Sequence, residues 1–463
     1  IYKLRAISLI ESIVICLISY ILALFIVNDL SYTPIANWVD ADIRLSQYKA
    51  LILLTALIAI LTGCLAGLYP AIRSTSYAPA LVLKGSFGLS PKGKKVRVVL
   101  IGFQYTVSIA LIIVTLFMGL QNHFMTSSEQ LGFNKDQVAI VNLTPEIYAK
   151  HKPQYIQKLK DYPGIEDVAF SVYELSKEDD MIDLEYARHE DKDVFFKVFY
   201  ASENFLSVMD IQVEEGRDFT REDLNKAQSD YIINPAAERD FHLHPGDRFN
   251  DRTVLGVSKD FRFNSCRIAS SPFVFALNND IPNPKLVSYI RFNSKTNLQE
   301  AVAHVRETLK EIDPTFPFEI SFYNTILNNL YQKEQTLGKL ISLFGIMAIL
   351  ISIVGVFGLV LFETQYRRKE IGIRKINGAT TGQILLMFNK TYIRIVSVCF
   401  IISIPIAWMG TQQWLENFAY KTPLHLWVFI VAFLIILSVT IGTVTFRNWQ
   451  AANENPVNSV KSE

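Results

Sequence analysis

The chain has 463 residues, half of them hydrophobic, and a net charge of +1. So small a charge excludes a protein that relies on a large basic field to bind nucleic acid. The hydrophobic residues are concentrated in long uncharged runs towards both ends of the chain and leave a polar middle. This distribution is typical of a membrane protein that carries a water-exposed domain.

Six runs are long enough to cross a bilayer as α-helices, because about 20 helical residues span roughly 30 Å. A helix that stays apolar on every face over this length rarely belongs to a soluble core. The fifth run contains Pro405, which membrane helices tolerate. The predicted membrane helices are residues 7–27, 50–72, 98–128, 340–362, 395–413 and 424–446.

The loops between these runs differ in charge. Residues 71–97 contain six Lys or Arg and no acid, and residues 363–394 contain seven Lys or Arg and two Glu. Residues 28–49 contain three Asp and two cations. Because basic loops stay in the cytoplasm, both termini and the two basic loops are predicted to be cytoplasmic and the polar middle to lie outside.

The polar middle, roughly residues 121–335, is predicted to form one mixed α/β domain. Asn297 is the predicted cap of a helix that Pro314 stops. A second helix is predicted to begin near Tyr323 and to run without a break into the fourth membrane helix. The predicted strands, which are rich in β-branched and aromatic residues, are 137–143, 167–173, 194–201, 253–257, 273–277 and 286–292.

No set of residues predicts catalysis, a cofactor or a metal. Residues 88–95 have P-loop spacing, but Lys95 stands where the motif needs Ser or Thr. His242 and His244 lie beside Pro245 and Gly246, and this pattern favours a turn over a metal site. We therefore expect no catalytic, cofactor-binding or metal-binding residue.

The most informative basic stretch is QYRRKEIGIRKINGATTGQIL, residues 365–385. The fourth membrane helix is predicted to continue through residues 367–376 and to stop at Gly378. A new helix is predicted at Thr380, with Gln383 in the capping-box position. We call residues 367–383 the elbow. From its composition alone, the elbow is an anchor that contacts anionic lipid.

The elbow also resembles a known signature. RKEIGIRK at 368–375, followed by Gly378 and Ala379, is similar to the run that precedes the coupling helix in MacB/FtsX-type ABC permeases. Motifs similar to those of the MacB-type periplasmic core domain are LGFNKDQV at 131–138, GRDF at 216–219 and GVSKDF at 256–261. Motifs that resemble the junction between two permease repeats, as in tandem-repeat permeases of Bacteroidetes-like bacteria, are GLYP at 67–70, LKG at 83–85 and FQ at 103–104.

A repeat is visible from the residues as well. Residues 77–84 align with residues 454–461, and each segment follows an apolar run. The second repeat contains helix, outside domain, helix and helix, whereas the first has only its last two helices, so we expect an N-terminal part to be missing. The expected domains are residues 1–97 with the end of the first repeat and a cytoplasmic linker, 98–120 with the helix that opens the second repeat, 121–335 as the MacB-like periplasmic core domain, and 336–463 as the FtsX-like permease domain.

The resemblance implies a fold, a location and a mechanism. The fold class is an α-helical membrane protein with six transmembrane helices and one α/β (α+β) periplasmic domain in the bacterial inner membrane. A separate cytoplasmic ABC ATPase dimer would supply the energy, and the permease would transmit its motion to the periplasm. Other implied partners are membrane lipid and a periplasmic adaptor or hydrolase, without nucleic acid. The residues that would dock the ATPase are Arg368, Glu370, Arg374, Gly378, Ala379, Thr380 and Gln383.

Three function classes remain open. The first is export of a peptide, drug or lipid-linked substrate. The second is an FtsX-like scaffold that regulates a periplasmic partner such as a cell-wall hydrolase; altered septation would favour it, and loss of resistance would favour export. The third is a secondary transporter, which the sequence disfavours because the six runs carry no charge near the bilayer midplane.

Overall fold

The computed structural model describes residues 2–33, 48–74, 91–127, 131–176, 183–226, 228–262, 265–277 and 286–452. The chain divides into two compact units. The helical unit comprises Ile1–Phe117, Thr336–Thr411 and Leu424–Glu463, and the sheet unit comprises Met118–Gln335 and Gln412–Pro423. The aligned repeat segments 77–84 and 454–461 and the motif at 83–85 lie outside the described residues.

The α-helices within the described ranges are α1 (Tyr2–Leu30), α2 (Lys49–Ser74), α3 (Pro91–Thr126), α4 (Lys152–Lys160), α5 (Phe205–Met209), α6 (Pro235–Phe241), α7 (Leu298–Ile312), α8 (Tyr323–Leu330), α9 (Gln332–Tyr366), α10 (Arg368–Ile376), α11 (Thr381–Leu415) and α12 (Leu426–Ala452). Six of these are long and apolar enough to cross a membrane: α1, α2, α3, α9, α11 and α12. The six predicted spans are confirmed as helices, and α11 passes Pro405 without ending.

Close packing of α1 on α2 depends on two glycines spaced four residues apart. A Cβ atom on Gly63 would lie 2.9 Å from Ile13 Cα, and one on Gly67 would lie 2.8 Å from Ser12 Cβ. Tyr20 donates a hydrogen bond to the Ile52 carbonyl at 2.7 Å. Small residues at this spacing allow membrane helices to approach closely, so these two helices form a packed hairpin.

Hydroxyl pairs join α3 to two other membrane helices of the helical unit, α9 and α12. Tyr105 of α3 lies 2.9 Å from the Thr440 hydroxyl of α12, and Ser108 of α3 lies 3.0 Å from the Ser352 hydroxyl of α9. In an apolar surrounding, each such pair satisfies two polar groups that would otherwise be costly to bury.

The sheet unit contains β1 (Val138–Leu143), β2 (Ile165–Ser171), β3 (Asp183–His189), β4 (Lys192–Ala201), β5 (Val213–Gly216), β6 (Tyr231–Ile233), β7 (Arg248–Phe249), β8 (Arg252–Ser258), β9 (Phe273–Leu277), β10 (Leu286–Phe292) and β11 (Ile320–Phe322). Along the sheet the strand order is β11-β1-β10-β2-β4-β9-β6-β8-β5, with β3 on β4 and β7 on β8. The pairings β4–β9 and β6–β8 are parallel, and the other pairings are antiparallel. The prediction of a mixed α/β domain is confirmed.

Helices cover part of this sheet. The apolar stripe of α7 (Ala301, Val305, Leu309) packs with Tyr155 and Leu159 of α4 on the inner side chains of β1, β2 and β10. The predicted cap of α7 is confirmed, because the Asn297 side chain accepts a hydrogen bond from the Gln299 amide at 3.2 Å. These contacts place α4 and α7 on the same face of the sheet.

All six predicted strands are present, with ends that differ by up to two residues. Five further strands were not predicted: β3, β5, β6, β7 and β11. β6, β7 and β11 are two or three residues long, too short to show an alternating pattern. β3 was missed because its apolar side chains face outward; Leu184 and Tyr186 are both exposed, and Tyr186 pairs with exposed Phe195 of β4.

Two predictions of continuous helices were wrong. The helix from Tyr323 does not run straight into the membrane helix, because Tyr331 takes φ −109° between α8 and α9. The buried side chain of Tyr331 contacts Cys266, as described below, and the helix is interrupted at this residue. The elbow helix is likewise separate, because Arg367 takes φ −92° and ψ 10° between α9 and α10.

Asp223 gives the sheet unit a testable dependence on pH. Its buried carboxylate accepts two hydrogen bonds from Arg217 at 2.7 and 2.8 Å, and bonds from the Thr220 amide and hydroxyl at 2.9 and 2.8 Å. The Arg217 guanidinium, followed by the other bonds, holds the pKa of Asp223 well below its usual value. This contribution to stability is present above the unfolded pKa of about 3.9 and decreases as the pH falls towards the lower folded pKa.

We expect Asp223→Asn to destabilise the sheet unit by about 2 to 4 kcal/mol at neutral pH, because charged hydrogen bonds are lost and a cation loses its partner. The measurement is the urea unfolding midpoint of the detergent-solubilised chain between pH 7 and pH 3. Glu222→Gln, at an exposed neighbouring acid, should change stability by no more than about 0.5 kcal/mol. Equal midpoints for Asp223→Asn and wild type at pH 7 would contradict the assignment.

Candidate functional site

The backbone of the elbow contains a turn that requires glycine. After α10, the amides of Gly378 and Ala379 donate to the carbonyls of Lys375 and Arg374 at 3.0 and 2.9 Å. Gly378 has φ +87°, a conformation that L side chains rarely adopt. The predicted stop at Gly378 is therefore confirmed as a left-handed C-terminal cap of α10.

A capping box begins α11, as predicted. The Thr380 amide donates to Gln383 Oε1 at 3.1 Å, and the Gln383 amide donates to Thr380 Oγ1 at 3.3 Å. These reciprocal bonds satisfy two amides at the helix N-terminus and fix the direction in which α11 leaves the turn. Both side chains are exposed.

A buried carboxylate at the end of α9 holds the elbow from the inside. Glu363 is 7% exposed and accepts hydrogen bonds from Arg367 at 3.1 Å and from Tyr392 of α11 at 3.3 Å. The Arg367 guanidinium also lies over the Phe388 ring of α11, 5.8 Å from its centroid. The end of α9 is therefore attached to the first turns of α11. Sequence reasoning missed this role of Glu363 because its partner Tyr392 is 29 residues away.

Four of the predicted docking residues contact one another in pairs: Glu370 with Arg374, and Thr380 with Gln383 in the capping box. Glu370 and Arg374 of α10 form an ion pair at 2.8 Å, and Arg374 also contacts the Met387 sulfur of α11. Gly378 is exposed and Ala379 is half-buried. The side chain of Arg368 lies outside the described residues.

The elbow surface also contains apolar side chains that the sequence reasoning did not select. Ile373 and Ile376 of α10 and Leu386 of α11 are 55%, 65% and 67% exposed. An isoleucine pair three residues apart inside a basic loop was the available signal. Exposed aliphatic side chains next to charged groups are typical of a surface that another protein covers.

The segment 412–423 is bound to the rest of the sheet unit through one buried side-chain amide. We call this region the base of the sheet unit. Gln121 of α3 donates to the Tyr420 carbonyl at 3.0 Å and accepts from the Thr422 amide at 2.8 Å. The Arg262 guanidinium lies 4.0 Å from the centroid of the Tyr420 ring. The loop between α11 and α12 thus belongs structurally to the sheet unit.

Beside this amide, four buried side chains form what we call the base cluster: Met125, Cys266, Tyr331 and Phe418. The Tyr331 hydroxyl accepts from the Cys266 amide at 3.1 Å and donates to the Cys266 sulfur at 3.3 Å. Burial raises the pKa of the Cys266 thiol. These contacts explain why the helix path breaks at Tyr331.

An ion pair borders the base cluster. Glu334, in the first turn of α9, is 7% exposed and accepts from Arg267 at 2.7 Å. The Arg267 guanidinium also lies 5.1 Å from the centroid of the Phe418 ring. The start of α9 is therefore fixed to the same surface as the segment 412–423.

The three sheet-unit motifs meet in one place, and their glycines are needed there. A Cβ atom on Gly132 would lie 2.1 Å from the Asp260 carbonyl, and one on Gly216 would lie 2.2 Å from the Leu255 carbonyl; both glycines have positive φ. Gly216 pairs directly with Gly256 across β5 and β8. These motifs fix a close backbone crossing, which is a structural role.

One group of side chains has the composition of a metal site. Ligand atoms of Glu215, Glu238 and His244 all lie within 4.8 Å of one another. Glu215 and His244 are exposed, and the turn predicted around His242 is confirmed by its φ of +53° and by Gly246 at φ +98°. The expectation that the chain binds no metal stays a prediction.

The comparisons with known proteins identify the C-terminal part first. Residues 342–456 match the family model of the FtsX-like permease C-terminal domain. The macrolide export ATP-binding/permease protein MacB of Aggregatibacter actinomycetemcomitans is 25% identical over 212 residues, 43% of this chain and 32% of that protein. MacB of Neisseria gonorrhoeae is 25% identical over 223 residues, 45% of this chain and 34% of that protein. The chain thus spans about a third of the length of these relatives.

Two solved structures are similar to part of the chain at lower sequence identity. The periplasmic region of MacB from Actinobacillus actinomycetemcomitans has 15% identity and a TM-score of 0.32, covering 43% of this chain and 94% of that one. The extracellular domain of the noncanonic ABC-type transporter YknZ from Gram-positive bacteria has 15% identity and a TM-score of 0.30, covering 40% of this chain and 99% of that one. Residues 342–456 therefore form an FtsX-like permease C-terminal domain, and the chain is similar to the MacB proteins over 43% to 45% of its length.

Proposed function

We propose that this permease transmits motion between a separate cytoplasmic ABC ATPase dimer and a periplasmic domain, in the export of a peptide, drug or lipid-linked substrate. The observation that carries the proposal is the elbow. It is attached to α9 and α11 through Glu363, yet it presents an outer surface of charged and apolar side chains. A segment that transmits motion must be fixed to its own protein on one side and accessible to the partner protein on the other.

The outer surface of the elbow suits a protein partner. Ile373 and Ile376 offer apolar area, and the Glu370–Arg374 pair offers charges of both signs beside it. A lipid surface attracts cations and gives no reason for a paired acid, whereas a protein interface combines apolar contacts with charge complementarity. The docking set Arg368, Glu370, Arg374, Gly378, Ala379, Thr380 and Gln383 is therefore proposed together with Ile373 and Ile376.

The outward half of the proposed path follows α9. Its last turn carries Glu363 next to the elbow, and its first turn carries Glu334 in the ion pair with Arg267. Motion of the elbow would shift α9 along its length, and the base of the sheet unit would receive it. We propose residues 98–120, 121–335 and 336–463 as the opening helix, the periplasmic core domain and the permease domain of this repeat, with residues 1–97 from a first repeat.

Export is proposed over a scaffold role because the curated relatives are macrolide exporters by name. A photo-cross-linking amino acid at position 376, in intact membranes, tests the ATPase contact. We expect a product that mass spectrometry identifies as an ABC ATPase. The matched control is position 346, an exposed isoleucine of membrane helix α9, which should give no such product. An elbow product that contains no ATPase, when the ATPase is co-expressed, would overturn the proposal.

The proposed orientation makes a separate prediction. In cells stripped of their outer membrane, Arg221→Cys, three residues from Asp218, should react with an impermeant maleimide, because this site is exposed in the sheet unit. Cysteines at Lys94 and Asn377 should react only after the membrane is permeabilised. Native Cys266 gives little background because it is buried and its thiol pKa is raised. Labelling of Asn377→Cys from outside would reverse the orientation.

A further inference from the structure

A long apolar groove lies between α3 and α11 in the helical unit. Its volume is about 930 Å³, and its lining comes from residues 98–114 and 394–410. Several of the lining residues are small: Gly102, Thr106 and Ala110 on α3, and Cys399, Ala407 and Gly410 on α11. Along α3 the lining covers about 24 Å at 1.5 Å per residue, more than the roughly 15 Å depth of one hydrocarbon leaflet.

The sides of the groove are exposed and apolar. Phe103 of α3 and Ile402 of α11 line it, and they are 70% and 50% exposed. These side chains lie in helices that are long and apolar enough to cross a membrane. The groove therefore opens towards the hydrocarbon of the bilayer, whose acyl chains match its lining.

Among the side chains that the structure describes, Arg394 is the one charged residue that lines the groove, and it stands at one end. Its side chain is exposed, and it lies at the same end as Val98 of α3. The preceding residues 91–97 include four Lys or Arg in the sequence. In the proposed orientation this end faces the cytoplasm, at the depth of the lipid headgroups.

We propose that the groove binds an anionic phospholipid of the cytoplasmic leaflet, with its phosphate on Arg394 and its acyl chain along α3 and α11. An acyl chain gains little free energy by moving from lipid into an equally apolar groove. The acyl chain therefore contributes shape complementarity, and the charge of Arg394 determines which headgroup is preferred. Basic pockets between membrane helices on the cytoplasmic side recognise anionic headgroups in this way. A membrane helix seated here would instead place its apolar side chains against Arg394 and desolvate the cation.

The test uses the full chain in phosphatidylcholine vesicles that contain a photoactivatable phospholipid. The probes are a phosphatidylglycerol and a phosphatidylcholine with the same diazirine-bearing acyl chain, and labelled peptides are mapped by mass spectrometry. In the wild type, phosphatidylglycerol should label residues 98–114 and 394–410 about fivefold more than phosphatidylcholine, as expected for one cation near the membrane surface. Arg394→Gln should bring this ratio close to one.

Two further variants test the position of the charge and the volume of the groove separately. Lys390→Gln removes an exposed cation one turn earlier in α11, outside the groove, and should keep the preference. Gly102→Leu should lower groove labelling by both probes. A Cβ atom there would lie 3.5 Å from Cys399 Sγ, which is ordinary van der Waals contact, so the added Cβ itself does not clash.

The outcomes are distinct. Equal labelling by both probes in the wild type would overturn the proposed anionic ligand. Labelling of the groove by neither probe, together with disulfide formation between Val107→Cys copies, would overturn the lipid site and assign the groove to a protein helix. Neither result depends on coupling to an ATPase, so the proposed function would be tested separately.

Discussion

Gly378→Val should lower ATP-driven transport by about fivefold to a hundredfold while the chain still inserts in the membrane. A β-branched residue is strained by about 1 to 3 kcal/mol at the observed φ of +87°, and 1.4 kcal/mol corresponds to a factor of ten. Apart from the two chain neighbours, no described residue has an atom within 4 Å of a Cβ built at Gly378, so the effect would come from the backbone rather than from a clash. The turn can relieve the strain only by changing the angle between α10 and α11. Transport and substrate-stimulated ATPase activity, measured with the partner ATPase in proteoliposomes, are the readouts.

Two controls make this result specific. Gly378→Asn should keep most of the coupling, because Asn tolerates the left-handed conformation. Gly358→Val places the same side chain within helix α9, where a Cβ meets no atom of the described residues within 4 Å outside the helix's own backbone, and it should keep coupling as well. If Gly378→Val couples as well as the wild type, the elbow is only an anchor. Equal loss in Gly378→Asn would show that a feature other than backbone conformation is responsible.

Tyr331→Ala should destabilise the base of the sheet unit by about 3 to 5 kcal/mol, the usual cost of removing a buried aromatic ring. The ring is fully buried in the base cluster, and its hydroxyl is the partner of the Cys266 amide. On the path proposed above, a loosened base would not receive the motion of α9, so coupled transport should fall along with stability. Thermal unfolding in detergent and transport in proteoliposomes measure the two effects.

Tyr331→Phe is the matched control. It keeps the ring and removes only the hydroxyl, so it should cost about 1 to 2 kcal/mol and keep most of the transport. If Tyr331→Ala unfolds at the wild-type temperature, the base cluster does not hold the sheet unit. If transport is unchanged although the unfolding temperature is lower, the base cluster does not take part in the proposed transmission of motion.

The sequence predicted features that depend on neighbouring residues. Uncharged runs predicted the six membrane helices, and the Thr380–Gln383 spacing predicted the capping box. Gly378 predicted the C-terminal cap because few other residues adopt its conformation. In each case the interaction that decides the structure lies within a few residues of the pattern.

Features that depend on distant residues could not be predicted in this way. The break at Tyr331 arises from contacts with Cys266, 65 residues away, and the attachment of Glu363 needs Tyr392. Gln121 binds a loop 299 residues later in the chain. Such contacts leave no periodicity in the sequence. The residue type of an apolar or amide side chain does not show whether a distant residue will contact it.

The place of the segment 412–423 in the sheet unit has a consequence for biogenesis. A ribosome that adds about 5 to 20 residues per second needs roughly 4 to 18 seconds to proceed from Gln335 to Pro423. Throughout that interval the sheet unit has been synthesised, yet Gln121 has no loop to bind and Phe418 does not cover its neighbours. A nascent or truncated chain that lacks the last helical hairpin therefore exposes an apolar surface at the base, where proteases and chaperones can distinguish it from the completed chain.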